Sequence, residues 1–162
     1  MKLFPTPAKH HELLLAELSA VERGEVKNLM INMPPGSAKS SYASVLFPSY
    51  YMGRHPEELL LCTSAVSELA EHFSRRVRNV VGSKEFELLW GFGLSEDSTS
   101  ASRWDNSRGG GYFSAGVGKA IPGRRADLGL IDDPVPNREA ADSERMRETA
   151  WQWYLNDFLP RL

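Results

Sequence analysis

Three short apolar runs alternate with longer polar segments along the chain. The runs cover 27–33 (KNLMINM), 58–64 (ELLLCTS) and 126–134 (ADLGLIDDP), and the last one ends in two acids and a proline. Continuous apolar residues, rather than alternating ones, are typical of strands buried on both faces of a parallel sheet. The sequence therefore predicts three strands of one mainly parallel sheet.

Segments with helical spacing flank these runs. Apolar stripes run along 7–23 and 65–82, and their residues are Leu14, Leu18, Val21, Leu69, Phe73, Val77 and Val80. Another helix is expected to begin near Lys39 and to be disturbed or ended around Pro48, and 137–159 is predicted to be helical. Alternating strands and helices predict an α/β fold with helices flanking the sheet.

The remaining patterns concern loops and the core. Residues 91–111 are rich in Gly and Ser and predict a polar hairpin or a mobile loop. Four large side chains are expected to fill the core, namely Met30, Met33, Trp151 and Trp153.

Length, net charge and the count of cysteines restrict the kinds of protein that this chain can be. The 162 residues suit one domain, and a net charge of -2 gives no overall basic footprint, so contact with DNA would run through local loops. The single cysteine, Cys62, excludes an internal disulfide and is expected to be a buried strand residue. The start of the chain lacks the apolar core of a leader, and no apolar run is long enough for a membrane span. We therefore expect an intracellular soluble protein without membrane partners.

Residues 34–41 follow the first predicted strand and open the next predicted helix. A phosphate-binding loop needs converging backbone N–H groups, a helix N-terminus and a lysine, but its usual pattern has glycine where Met33 and Ala38 stand. A proline-rich turn with a solvated Lys39 is the alternative. The nucleotide-binding interpretation assigns Pro35, Gly36, Ser37, Ala38, Lys39, Ser40 and Ser41, with the Ser40 hydroxyl as a Mg²⁺ ligand.

Two acids close the third predicted strand. An apolar strand that ends in an acid holds Mg²⁺ opposite a phosphate loop, so we assign Asp132 to the metal and Asp133 to the attacking water. A common strand-ending turn is the alternative. Because the carboxyl ends of parallel strands share one edge of the sheet, these acids and the 34–41 segment are expected to meet there.

Further candidates lie on a Gly-rich loop and on the first helix. Arg124 is our candidate for the cation that stabilises charge on the departing phosphate, although an arginine that is solvated or contacts DNA phosphate fits as well. His10 and His11 could lie near an adenine base, but surface positions are favoured.

With these residues in view, the chain resembles the N-terminal ATPase region of the large terminase subunit of tailed bacteriophages and prophages. The likeness runs in family order over nearly all 162 residues, including HHELLLAELSAVERGEVKNLMINMPPGSAKSSYASVLFPSYYMGRHP, LAEHFSRRVRNVV, GVGKAIPGRRADLGLIDDP and WQWYLNDFLPRL. The PPGSAKS form of the loop is itself similar to a variant that this family uses.

The resemblance implies a RecA-like P-loop fold, C-terminally incomplete, that hydrolyses ATP with Mg²⁺ to pump viral DNA into procapsids. Lys39, Ser40 and Asp132 would carry the nucleotide and metal roles, whereas Asp133 stands where many P-loop motors carry glutamate. The implied partners are double-stranded DNA, the portal protein, the small terminase subunit and sister subunits in a ring at the procapsid portal. The family's coupling motif and nuclease domain are not recognisable within 1–162, so nuclease activity is not expected.

Two alternatives stay open. Another P-loop DNA translocase or helicase would share both phosphate-chemistry segments. A catalytically inactive remnant, which only docks to DNA or to partner proteins, would keep the sequence pattern without the chemistry.

Overall fold

The computed structural model describes residues 7–98, 100–121, 123 and 125–162. Its helices are α1 (Lys9–Glu22), α2 (Lys39–Ser41), α3 (Phe47–Arg54), α4 (Ser67–Val81), α5 (Lys84–Trp90), α6 (Arg138–Asp142) and α7 (Glu144–Trp153), with π-helical turns at Tyr42–Leu46 and Tyr154–Phe158 and a 3₁₀ turn at Leu159–Arg161. Its strands are β1 (Leu59–Ser64), β2 (Arg103–Asp105), β3 (Gly111–Gly116) and β4 (Leu128–Asp132). None of the helices in the described ranges is long and apolar enough to cross a membrane.

The strands form one sheet in the order β2-β3-β1-β4. β1 runs parallel to both β3 and β4, while β2 is antiparallel to β3. Ser64, the last residue of β1, lies beside Gly116 and Asp132, which end β3 and β4. The predicted mixed α/β architecture with a mainly parallel sheet is confirmed, and the three parallel strands end at one edge.

Apolar layers cover both faces of the sheet. On one face, β-strand side chains such as Leu60 and Leu130 pack with α1, α3, α4 and α5. On the other face, Leu61 and Phe113 pack with the end of α7 and with Phe158. Neighbouring residues of β1 therefore enter opposite layers, as the alternation of side chains along a strand requires.

Both predicted helical stripes are confirmed. The stripe residues of α1 and α4 all belong to the first apolar layer, where Leu14, Leu18, Phe73 and Val77 are buried and Val21, Leu69 and Val80 are half-buried. The predicted helical character of 137–159 is also confirmed by α6, α7 and the π turn that follows.

The predicted strand at 27–33 is wrong. The segment forms no strand, and its side chains alternate instead of being buried on both faces. Leu29, Ile31 and Met33 pack against the first apolar layer, whereas Met30 is 85% exposed. Apolar runs occur both in strands that pair within a sheet and in extended segments that pack only one side against helices. The run alone therefore does not tell the two apart.

The helix expected from Lys39 is continuous to Arg54 but irregular just before Pro48, as predicted. Pro48 has no N–H to donate to a carbonyl one turn earlier. The π-helical turn Tyr42–Leu46, which ends two residues before Pro48, accommodates the missing hydrogen bond. The local widening also places Ser44 in a buried position that faces the sheet edge.

Other elements depart from the sequence analysis. A hairpin of β2 and β3 is present, but it spans 103–116, so only its first strand and turn lie in the 91–111 segment that was predicted as a hairpin or a mobile loop. Neither β3 nor α5 was predicted. Trp153 is buried as expected, whereas Trp151 is 54% exposed and does not belong to the core.

Cys62 is fully buried at the centre of β1, as predicted. Burial raises the pKa of its thiol to about 12. A buried protonated thiol does not react with thiol reagents, so protection of Cys62 reports whether a variant of this chain is folded.

A buried carboxylate joins α1 to the end of α3. The Glu22 side chain is 5% exposed, and its Oε1 lies 3.1 Å from Arg54 Nε and 3.1 Å from His55 Nε2. Burial alone would raise the pKa of Glu22, but the hydrogen bonds with Arg54 and His55 outweigh it and lower this pKa below 4.5. Its stabilising contribution is therefore present above pH 4.5 and is lost as the pH falls through the lowered pKa.

We expect Glu22→Gln to lower the free energy of unfolding at pH 7 by about 1–2 kcal/mol, because charged hydrogen bonds become neutral ones. Because glutamine does not titrate, the variant should also lose less stability than the wild-type chain when the pH falls from 7 to 4. Urea unfolding at pH 7 and pH 4 measures both effects. Glu12→Gln, at an exposed site on the same helix, is the control, and an equal loss in that variant would contradict the prediction.

Candidate functional site

The 34–41 segment and the two acids after β4 meet at the carboxyl edge of the sheet, as predicted. Lys39 Nζ lies 2.6 Å from Asp133 Oδ1 and 3.1 Å from Asp132 Oδ1. Lys39 and Asp133, which form the closer pair, are 94 positions apart in the sequence. The fold thus brings one lysine and two carboxylates, from the two segments singled out in the sequence, into direct contact.

The two acids have different surroundings. Asp132 is 5% exposed, and both of its oxygens are engaged, since Oδ2 accepts a hydrogen bond of 2.8 Å from Ser44 Oγ. Asp133 is 65% exposed at its side chain and has a left-handed backbone with φ of 46°. Asp132 is therefore a fixed carboxylate, whereas Asp133 faces the solvent and is free to meet a ligand.

The cation of the site is held in its charged form. Partial burial would lower the pKa of Lys39, but hydrogen bonds to Asp133 and Asp132 outweigh that effect and raise it. The Lys39 side chain remains 22% exposed. A positive charge with partial access to solvent is suited to binding an anion that competes with the carboxylates.

The backbone of the 34–41 segment is tightly turned. Ser37 N donates to Pro34 O at 3.2 Å, and Gly36 and Ala38 have φ values of 79° and 60°. The helical segment starts at Lys39 directly after Ala38. Left-handed conformations next to a helix start orient successive N–H groups toward one point, which is the geometry of an anion-binding nest.

Ala38 occupies a backbone conformation that glycine adopts more easily, because a Cβ atom costs about 1–2 kcal/mol there. We expect Ala38→Gly to leave the free energy of unfolding unchanged or to raise it by up to about 1 kcal/mol, since the greater freedom of unfolded glycine offsets part of the gain. Ala16→Gly, on an exposed face of α1, should instead cost about 1 kcal/mol. Denaturant unfolding of both variants tests the difference, and an equal loss would contradict it.

The predicted metal ligand Ser40 and its neighbour Ser41 are half-buried in the first helical turn. Within the described residues, neither hydroxyl makes a hydrogen bond, and the contact with Asp132 comes from Ser44 instead. Sequence reasoning missed Ser44, although its position four residues after Ser40 places it on the same helical face.

Ser64 adds a hydroxyl that the sequence analysis did not single out. It is fully buried and pairs in register with Asp132 on the neighbouring strand, so that both side chains lie on the same face of the sheet. Its Oγ has no hydrogen-bond partner among the described residues. A buried hydroxyl without a partner beside a carboxylate is a candidate donor to water or to a ligand.

The donor chemistry fits Mg²⁺. The residues that reach this edge offer carboxylate and hydroxyl oxygens, which Mg²⁺ prefers, and Mg²⁺ is usually held by one or two carboxylates together with substrate phosphates. No group of three or more His, Cys, Asp or Glu residues in the described ranges could hold a metal by itself. The hydroxyl that the structure brings to Asp132 is that of Ser44, so the metal role of Ser40 stays a prediction.

A cleft of about 380 Å³ adjoins the acids. It lies between the start of α4 and the loop after β4, and its lining residues are Ala65, Val66, Leu69, Asp133, Pro134, Val135 and Pro136. Asp133 thus borders both Lys39 and this mostly apolar cleft.

Two further predictions have different outcomes. Arg124 lies outside the described residues, so its predicted role stays a prediction. His10 is exposed, as expected for a surface histidine, but His11 is half-buried, and its Nε2 lies 2.9 Å from Ser37 O. The 34–41 segment therefore contacts α1 as well as the sheet edge.

Comparisons with protein-family models, with curated proteins and with solved structures gave no match.

Proposed function

We propose that this chain binds ATP with Mg²⁺ and hydrolyses it. The observation that carries the proposal is the contact of Lys39 with both Asp132 and Asp133 at the carboxyl edge of a mainly parallel sheet. Ligands of such sheets bind beyond this edge, and a lysine opposite strand-end acids is the arrangement of P-loop NTPases.

In the proposed complex, the N–H groups of Ala38 and Lys39 hold the phosphates. The Lys39 side chain turns from the acids to the outer phosphates. That movement frees Asp132 Oδ1, while Ser44 continues to fix the other oxygen of this carboxylate. Asp132 and Ser40 would hold Mg²⁺, which would neutralise charge on the phosphate oxygens. Asp133 accepts the proton of the attacking water or orients that water.

A RecA-like fold is part of the proposal. Three parallel strands, helices on both faces and the position of the 34–41 segment favour it. The antiparallel β2 and the absence of a strand at 27–33 in the described chain are departures from the pattern expected for such a fold.

Within this class, we propose the ATPase part of a packaging motor for viral DNA. The sequence resemblance to the large terminase subunit supports this choice, together with DNA, portal protein, small subunit and sister subunits as partners and the host cytoplasm as the location. A different P-loop translocase or helicase would need the same contacts of Lys39, so the geometry does not separate the two.

Phosphate release from ATP by the full chain tests the hydrolytic proposal. We expect Ser40→Ala to raise the Mg²⁺ concentration for half-maximal hydrolysis by about tenfold or more, because it removes a metal ligand. Ser44→Ala should change this concentration less and should lower the free energy of unfolding by about 1 kcal/mol. Absence of hydrolysis by the folded wild-type chain would favour the inactive alternative, and a larger Mg²⁺ effect in Ser44→Ala would contradict the role of Ser40.

A further inference from the structure

The imidazole of His11 bridges α1 and the 34–41 segment. Its Nε2 lies 2.9 Å from the backbone oxygen of Ser37, at the tightest part of the turn. A carbonyl oxygen can only accept a hydrogen bond, so Nε2 carries the proton and donates it. The bond spans 26 residues of sequence and is partly buried.

The same ring also packs on the helix that follows the turn. The rings of His11 and Tyr42 are stacked, with centroids 4.6 Å apart and an interplanar angle of 25°. Tyr42 N donates to Ala38 O at 3.1 Å, which closes the first helical turn. One side chain from α1 thus contacts the turn and the start of the helix that carries Lys39.

This double contact acts on a strained backbone. Gly36 and Ala38 are both left-handed, and such conformations persist only where the surroundings hold them in place. The Ser37 hydroxyl does not supply that restraint, since it has no hydrogen-bond partner among the described residues. On the side of α1, the restraint on Ser37 comes from His11.

We propose that His11 is a positioning residue that holds the Ser37 carbonyl, and with it the N–H groups of Ala38 and Lys39, in the orientation that binds phosphate. The proposal deepens the proposed ATPase function and rests on it for its effect on nucleotide affinity. Its effect on the backbone of the turn is independent of any nucleotide.

Three variants separate the parts of the contact. His11→Phe keeps a ring that can stack on Tyr42 but removes the donor, whereas His11→Gln removes the ring and keeps an amide donor at a similar reach. His10→Ala is the matched control, because His10 is exposed and makes no side-chain hydrogen bond within the described residues, while its ring lies beside that of His11 with centroids 4.0 Å apart.

Amide hydrogen exchange of the full chain without nucleotide is the first measurement. We expect faster exchange at the amides of Ser37 and Tyr42, which donate to Pro34 O and Ala38 O, in His11→Phe, recovery in His11→Gln, and no change in His10→Ala. Protection of Cys62 from a thiol reagent shows that each variant is folded. Unchanged exchange in a folded His11→Phe chain would overturn the proposal, as would an equal increase in His10→Ala.

Calorimetric titration with Mg²⁺-ATP is the second measurement. We expect affinity to fall about three- to tenfold in His11→Phe, the size of one lost hydrogen bond, and to return in His11→Gln. If the folded wild-type chain binds no ATP while exchange is faster in His11→Phe, the ATPase proposal fails and the positioning of the turn by His11 stands. If the wild type binds and His11→Phe binds equally well, the positioning role fails alone.

Discussion

Asp133→Asn should bind ATP more tightly than the wild-type chain and hydrolyse it at least about 100-fold more slowly. Hydrolysis falls because the amide cannot take a proton from the attacking water, and a general base contributes about 10²–10⁴-fold. Affinity rises because Lys39 loses its closest competitor for phosphate, the carboxylate 2.6 Å away. Since that carboxylate is largely exposed, the gain should be only about two- to fivefold.

Titration with Mg²⁺-ATP and single-turnover phosphate release measure the two effects separately. Asp97→Asn, at an exposed position in the loop between α5 and β2, is the charge-matched control and should resemble the wild type in both. Weaker binding in Asp133→Asn would mean that the carboxylate assists the nucleotide instead of competing with it for Lys39. Unchanged hydrolysis would remove Asp133 from the mechanism.

Lys39→Ala should abolish measurable ATP binding, with a loss of affinity of about 100-fold or more. Each charge-assisted hydrogen bond to phosphate contributes about 1.5–3 kcal/mol, and Lys39 is expected to form at least two. The variant should also be less stable, because buried Asp132 retains only its hydrogen bond from Ser44 and an unpaired buried charge is costly.

The loss of binding must be distinguished from unfolding. Cys62 protection identifies the folded fraction, and Lys39→Ala/Asp132→Asn removes the unpaired charge, so this double variant should recover stability without recovering affinity. Lys84→Ala removes an exposed lysine at the start of α5 and should bind like the wild type. Affinity within about threefold of the wild type in a folded Lys39→Ala chain would contradict the phosphate role.

The sequence was most informative where periodicity and burial agree. The stripe of α4 buries side chains such as Val77 in the first apolar layer. The apolar run of β1 buries Leu60 in that layer and Leu61 in the layer on the other face. The meeting of Lys39 with the strand-end acids was predicted from two parallel strands that end at one edge. The meeting is found, but only the acids follow a strand, since 27–33 forms none.

The misses have a common physical origin in tertiary context. The 27–33 run contains as many apolar residues as a buried strand, but whether its backbone finds a partner depends on distant segments. β3, with the sequence GYFSAG, lacks the apolar density of β1 and was not predicted, although it pairs with the full length of β1. Propensity does not record such pairing.

The same limit applies to the site. The sequence placed Ser40 near the metal because of the motif. Pro48 predicted an irregular helix, but not that Ser44, inside the π-helical turn, would be the serine that contacts Asp132. His10 and His11 were both expected at the surface, because the sequence gives no sign of a carbonyl 26 residues away that would accept a hydrogen bond from His11.

Calorimetric titration of the full wild-type chain with ATP, with and without Mg²⁺, tests the central claim most directly. We predict saturable binding of one ATP per chain, with higher affinity when Mg²⁺ is present. Absence of binding by a chain whose Cys62 remains protected from thiol reagents would contradict the claim, since the contact of Lys39 with Asp132 and Asp133 would then be only a surface ion-pair cluster.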